Sequence, residues 1–182
     1  MRLFVALTPP TEVVDELRAS TAALHELAPG LRWTRPEHWH VTLAFLGDVG
    51  DDVVAELARR LNRAAARYPP LSLSLGDGGR FGHQVLWTRV HGDREALRRL
   101  AGSVQAVARR CRLLVEQRPY RPHLTLARAG AATDLRPLVE RLTCWQGQPW
   151  LATRLYLIRS RLGAGSNGSA LHEPIADWPL DG

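Results

Sequence analysis

The chain has 182 residues, 45% of them hydrophobic and 23% charged, with a formal net charge of +6. That length fits one domain, or two small lobes sharing a core, and the composition is that of a globular protein able to fold without staples. The two cysteines, Cys111 and Cys144, form no CxxC or Cys/His cluster, which argues against a zinc site or a disulfide framework.

All 24 basic residues are Arg. A GC-rich coding bias explains the preference over Lys, but the positive excess still favours an anionic partner such as phosphate or nucleic acid. The apolar opening, Met1 to Leu7, is too short for a signal peptide and runs at once into Pro9-Pro10. No segment approaches transmembrane length. Asn167-Gly168-Ser169 matches a glycosylation sequon, read as chance without a secretory signal. These features point to a reduced, cytoplasmic protein with no membrane partner.

Leu3 to Leu7 reads as a buried opening strand. Thr11 is placed to cap a helix that carries Val13, Val14, Leu17, Leu24 and Leu27 and stops at Pro29-Gly30. Leu31 to Thr34 is a short strand, and His40 to Leu46 a longer one closed by Gly47. A second helix starts at Asp51-Asp52, with Val54, Leu57, Ala58, Leu61 and Ala65 on one face, and ends at Tyr68-Pro69-Pro70. The second half repeats this grammar. Leu71 to Leu75 alternates with period two, and a glycine-rich turn is expected over Gly76-Asp77-Gly78-Gly79. Gln84 to Val90 is a strand. Asp93 then caps a helix with a stripe of Leu97, Leu100, Ala101, Val104, Ala108 and Cys111. A strand over His123 to Ala127, a helix over Leu135 to Leu142, a strand over Leu155 to Ile158, a Gly/Ser loop and a short tail complete the chain. Strands and helices mix without strict βαβ alternation, which predicts an α+β fold with antiparallel pairing.

One hexapeptide is nearly duplicated. His40-Val41-Thr42-Leu43-Ala44-Phe45 matches His123-Leu124-Thr125-Leu126-Ala127-Arg128 at its His, Thr, Leu and Ala positions. On a strand, residues two apart share a face. His40 and Thr42 therefore face one way and Val41 and Leu43 the other, and the second copy does the same. A single His-x-Thr on a strand is ordinarily a satisfied polar face. Packing alone gives no reason to repeat it, so both pairs are expected to face one cleft. In-line displacement at a phosphodiester needs one neutral and one protonated group, and histidine supplies both forms near neutral pH. Thr42 and Thr125 can donate hydrogen bonds to phosphoryl oxygens, and Arg128 can offset negative charge.

With these residues in hand, the chain resembles the two-histidine phosphoesterases. It is most similar to the RNA 2′,3′-cyclic phosphodiesterases once described as 2′-5′ RNA ligases. The signature is a pair of His-x-Thr-x tetrapeptides about eighty residues apart. The likeness also covers Arg2 to Leu7, Trp39 to Gly47, Val85 to Trp87, Tyr120 to Arg128 and Trp178 to Leu180. It implies a single bilobal catalytic domain over residues 1–182, with two pseudo-symmetric lobes whose antiparallel sheets line a central cleft and whose helices lie outside. It implies hydrolysis of RNA 2′,3′-cyclic phosphate ends to 2′-phosphates without metal or cofactor, by a monomer, with small cyclic nucleotides as further substrates and 2′-5′ ligation as a side activity. His40 would be the general acid and His123 the general base; sequence symmetry by itself does not separate the two roles. Arg128 would bind phosphate, although strand parity sends it to the wrong face unless the strand bends or ends there. Where relatives carry an aromatic after the late glycines, this chain has Leu171-His172, so base preference is left open. A non-catalytic RNA-end binder is the alternative from another class.

The remaining candidates read more plainly. His38-x-His40 has the spacing of a metal pair, but no third ligand is apparent and His38 reads as a solvated residue before a strand. His25, His83, His91 and His172 are surface or turn residues. The late glycine run, Gly163 to Gly168, fits GxGxxG but has no helix after it. Trp39, Trp87, Tyr120 and Phe81 can stack a base, with Tyr120 and Phe81 preferred as substrate-binding residues. Arg32, Arg35, Arg118 and Arg121 can reach RNA phosphates.

Overall fold

In the computed structural model, which describes residues 1–130, 133–165 and 170–182, the apolar opening forms β1 (Arg2–Leu7) and leads into α1 (Thr11–Leu27). Thr11 is the first helical residue, and Pro10 takes the capping position without a side-chain bond. There follow β2 (Arg32–Trp33), a 3-10 turn over Pro36–His38, β3 (Val41–Asp48) and α2 (Asp51–Ala65). Asp51 and Asp52 sit in the first turn of α2, where negative charge meets the positive end of the helix dipole. The second half comprises β4 (Leu71–Phe81), β5 (Val85–Gly92), α3 (Arg94–Arg110), β6 (His123–Arg128), α4 (Arg136–Leu142), β7 (Trp150–Ala152), β8 (Arg154–Arg161) and β9 (Leu171–Pro179).

Among the described residues all the strands belong to one curled antiparallel sheet, ordered β7-β4-β5-β6-β3-β1-β8-β9, with β2 also pairing β6. Leaving β2 aside, four strands lie on each side of the β6–β3 junction. That junction is a single registered pair, Val41 against Leu124. The α+β class and the two related halves are as expected; the halves share one sheet and part company immediately beyond this pair.

Two local expectations are corrected. The glycine-rich segment 76–79 is not a turn: β4 runs straight through it to Phe81. A bulge at Asp77, which adopts φ 53°, accommodates the extra residue. The missing side chains are needed for packing. A Cβ on Gly79 would overlap the Trp87 ring, and one on Gly78 would press on Leu142 of α4. The tail is not a loose end either, since β9 pairs along the whole of β8.

One core holds the molecule together. Leu3, Val5, Leu7, Val41, Leu43, Leu86, Val90, Leu124 and Leu126 from the strands meet Leu17, Leu57, Leu61, Leu97, Leu100 and Leu138 from the four helices. All four helices therefore cover the same face of the sheet. The other face carries a small cluster of Phe4, Ala6 and Ile158, and is free to host chemistry.

Candidate active site

The two copies of the hexapeptide meet at the junction. Because Val41 and Leu124 are antiparallel partners, one step along the pair sets His40 opposite Thr125 and Thr42 opposite His123. Val41 and Leu124 are fully buried in the core. The alternation of a strand then turns His40, Thr42, His123 and Thr125 to the opposite face. The histidines flank this pair on one face, close enough that the charge of His123 is felt at His40.

Each imidazole is fixed in the same way. His40 Nδ1–H donates to the carbonyl of His38 at 2.7 Å, and His123 Nδ1–H donates to the carbonyl of Arg121 at 2.6 Å. Both bonds reach two residues back. A carbonyl only accepts, so the proton sits on Nδ1 and Nε2 is left for the cleft. Each ring also leans on aromatics: Phe4 lies 4.7 Å from His40, and Phe81 sits edge-on to His123 at 4.9 Å with Trp87 at 5.8 Å.

Burial decides the electrostatics. It lowers the His40 pKa to about 4, with the charges of His172, His123 and His38 acting in the same direction and the bond to the His38 carbonyl opposing it. His123 is lowered too, first by burial and then by the charge of Arg128, again against its carbonyl bond. Burial thus favours two neutral imidazoles. An anionic phosphate between them would favour the protonated form and raise both.

The register explains how Arg128 joins them. Trp87 pairs with Thr125 and Leu86 with Ala127, so Leu126 is an extra residue. The first copy has the same irregularity: Ala6 pairs with Thr42 and Val5 with Ala44, leaving Leu43 extra. A bulge at the same position in both copies sends Leu and Ala together into the core and reverses the parity beyond. Leu43, Ala44, Leu126 and Ala127 are buried accordingly. Arg128 and Phe45 come back to the histidine face, both exposed. The sequence reading gave Phe45 no role; its alignment with Arg128 in the duplicated hexapeptide was the available signal that the two share a face.

His172 was read as a surface or turn residue and is neither. From β9 its ring packs 5.0 Å from Phe4, 5.1 Å from His38 and 5.3 Å from His40. Burial, then the charge of His38, lowers its pKa to about 4. Although three histidines crowd here, no three His, Cys, Asp or Glu side chains among the described residues are placed to hold a metal ion. Phe81 stands against both His123 and Trp87. Tyr120 packs on the main core instead, and burial raises the pKa of its hydroxyl, which has no hydrogen-bond partner among the described residues. It is not among the rings that touch either motif histidine. Trp39 is buried. Of the arginines considered for RNA, Arg35 pairs with Glu37 at 2.6 Å and Arg118 with Glu116 at 3.3 Å, while Arg32 stands directly across from Arg128. His25 stacks on Trp33 at 4.0 Å, and His91 pairs with Asp77 at 3.1 Å. The sequon and the end of the late glycine run lie outside the described residues.

Comparison with known proteins identifies the family and the fold. The chain is 30% identical over 129 residues to an RNA 2′,3′-cyclic phosphodiesterase of Geobacillus stearothermophilus, a match covering 69% of this chain but only 41% of that protein. It is 31% identical over 138 residues to the protein of that name in Escherichia coli, covering 75% and 77%. The fold matches the crystal structure of E. coli LigT complexed with 3′-AMP, with a TM-score of 0.78, 25% identity and coverage of 100% and 98%. The family model for the 2′-5′ RNA ligase superfamily matches residues 6–164: the chain belongs to that superfamily.

Proposed function

We propose that this chain is a single catalytic domain that hydrolyses RNA 2′,3′-cyclic phosphate ends to 2′-phosphates, using His40 and His123 as its acid–base pair and no metal. The observation that carries this reading is the mirrored placement of the two imidazoles, each with Nδ1 tied to a carbonyl and Nε2 free on one face. The names of its relatives point the same way, as does the nucleotide bound by E. coli LigT.

The proposed reaction runs as one in-line displacement. The cyclic phosphate seats between the rings, and its negative charge restores the proton to one of them. His123 Nε2 takes a proton from water as the water oxygen bonds to phosphorus. The bond from phosphorus to O3′ breaks, and His40 Nε2–H protonates O3′. The phosphate remains on O2′. This assignment of acid and base follows the family resemblance. Proton transfer of this kind contributes about 10²–10⁴-fold per group. Thr42 and Thr125 donate to the non-bridging oxygens, and Arg128 stabilises charge as it builds on them. Phe45, exposed on the same face, offers a surface for the terminal base. Ligation to a 2′-5′ bond is the same chemistry run backwards, with a 5′-hydroxyl end in place of water.

The test is an oligonucleotide ending in a 2′,3′-cyclic phosphate, incubated with EDTA present. Conversion to a 2′-phosphate, lost in His40→Ala and in His123→Ala, is expected. Binding without turnover that persists in both variants would mean a non-catalytic RNA-end binder. Activity abolished by EDTA and restored by zinc would refute the metal-free mechanism. We further propose that the chain works as a monomer in the cytoplasm; Cys111 and Cys144 are both free thiols.

A further inference from the structure

Arg89 of β5 has no part in the chemistry above. It is the antiparallel partner of His123, as Trp87 is of Thr125, so both side chains rise on the face that carries the site. The guanidinium carbon lies 5.6 Å from the Trp87 ring centre, and Trp87 in turn tilts against His123 at 5.8 Å. Arg89 and His123 thus share the Trp87 ring as a neighbour. It is half-buried and has no carboxylate partner among the described residues. Arg128 is the arginine whose charge is felt at His123.

A fixed, unpaired guanidinium so close to a phosphate site has an obvious use. It lies beside His123 in the sheet but outside the duplicated motif that holds the reacting groups. We propose that Arg89 binds the phosphodiester immediately upstream of the cyclic end, so that the chain prefers an oligonucleotide to a cyclic mononucleotide. A 2′,3′-cyclic nucleoside with a free 5′-hydroxyl has no second phosphate and cannot use this contact. The stacked guanidinium is already immobilised on the indole, so little side-chain freedom is lost when the phosphate arrives. The proposal rests on the cyclic phosphodiesterase reading and names the substrate feature that reading leaves open.

The test compares kcat/KM on adenosine 2′,3′-cyclic phosphate with that on the dinucleotide ApA bearing the same cyclic end, for the parent chain, Arg89→Met and Arg89→Lys. Met keeps an apolar cover over Trp87 and removes the charge. A charge-assisted contact predicts a fall of about 10-fold to 100-fold in the dinucleotide-to-mononucleotide ratio in Arg89→Met, carried by KM. Lys should recover much of it. The salt slope for the dinucleotide should fall by about 0.7, the contribution of one phosphate contact on a single strand. If Arg89 merely props Trp87, both substrates lose activity together, the ratio holds and the proposal is overturned. An unchanged ratio with unchanged rates also overturns it while leaving the phosphodiesterase reading intact. Failure of the parent chain to turn over either substrate would remove that reading and this proposal with it.

Discussion

Acidification from pH 7 to pH 5 should destabilise this protein through His40. Burial holds the His40 pKa at about 4 in the folded chain, against the ordinary value of 6.5 when unfolded. Below pH 6.5 the unfolded state therefore binds a proton that the folded state refuses, and stability falls as pH falls. The loss runs from about 6.5 down to about 4 and is complete below the folded value. Between pH 7 and pH 5, where ordinary carboxylates remain largely ionised, this one group costs about 2 kcal/mol. His172 acts in the same direction, with less effect because it is less deeply buried than His40. The carboxylates held low by arginines, Glu56, Asp134 and Glu173, stay ionised throughout this window and do not confuse the result. Urea unfolding at pH 7, 6 and 5 measures the effect. His40→Asn, which cannot titrate, should lose about 2 kcal/mol less than the parent over the same interval. A parent whose stability is flat from pH 7 to 5, or a variant with the parent's full pH dependence, would show that His40 is not buried as described.

Other expectations follow from the same geometry. Because both motif histidines are lowered, the singly protonated free enzyme is populated mainly on the acid side, so kcat/KM should peak below pH 6.5. The kcat profile should extend to higher pH, since bound phosphate raises the pKa of the proton donor, and coincident profiles would contradict this. Gly79→Ala should cost about 1–3 kcal/mol by forcing Trp87 away, with activity falling as His123 loses its support; calorimetry and kcat read the two effects. Arg128→Ala should lower kcat by about 10²–10³-fold, with only partial recovery in Arg128→Lys; a change confined to KM would remove it from transition-state stabilisation. Phe45→Ala should raise KM by about tenfold or more on base-bearing substrates, as the loss of one stacked base predicts, without shifting the pH profile.

The motif histidines were legible because both facts that identify them are local. Alternation within six residues separates the polar face from Val41, Leu43, Leu124 and Leu126, and duplication marks that face as something other than packing. Position 128 shows where locality ends. Strand parity predicts Arg128 in the core, and the bulge that reverses it is visible only in the pairing of β6 with β5. The same holds for Phe45 and the bulge against β1.

Glycines 76–79 look like a turn by composition, yet β4 passes through them because Trp87 and Leu142 occupy the space their side chains would fill. His172 and Arg89 carry no local mark at all. One reaches His40 because β9 folds back along β8, and the other because β5 happens to register Arg89 with His123. The sequence by itself determined which faces are apolar and which residues can move a proton. The tertiary structure alone decided which of them meet, because strand partners, bulges and register depend on contacts between distant parts of the chain that no local pattern encodes.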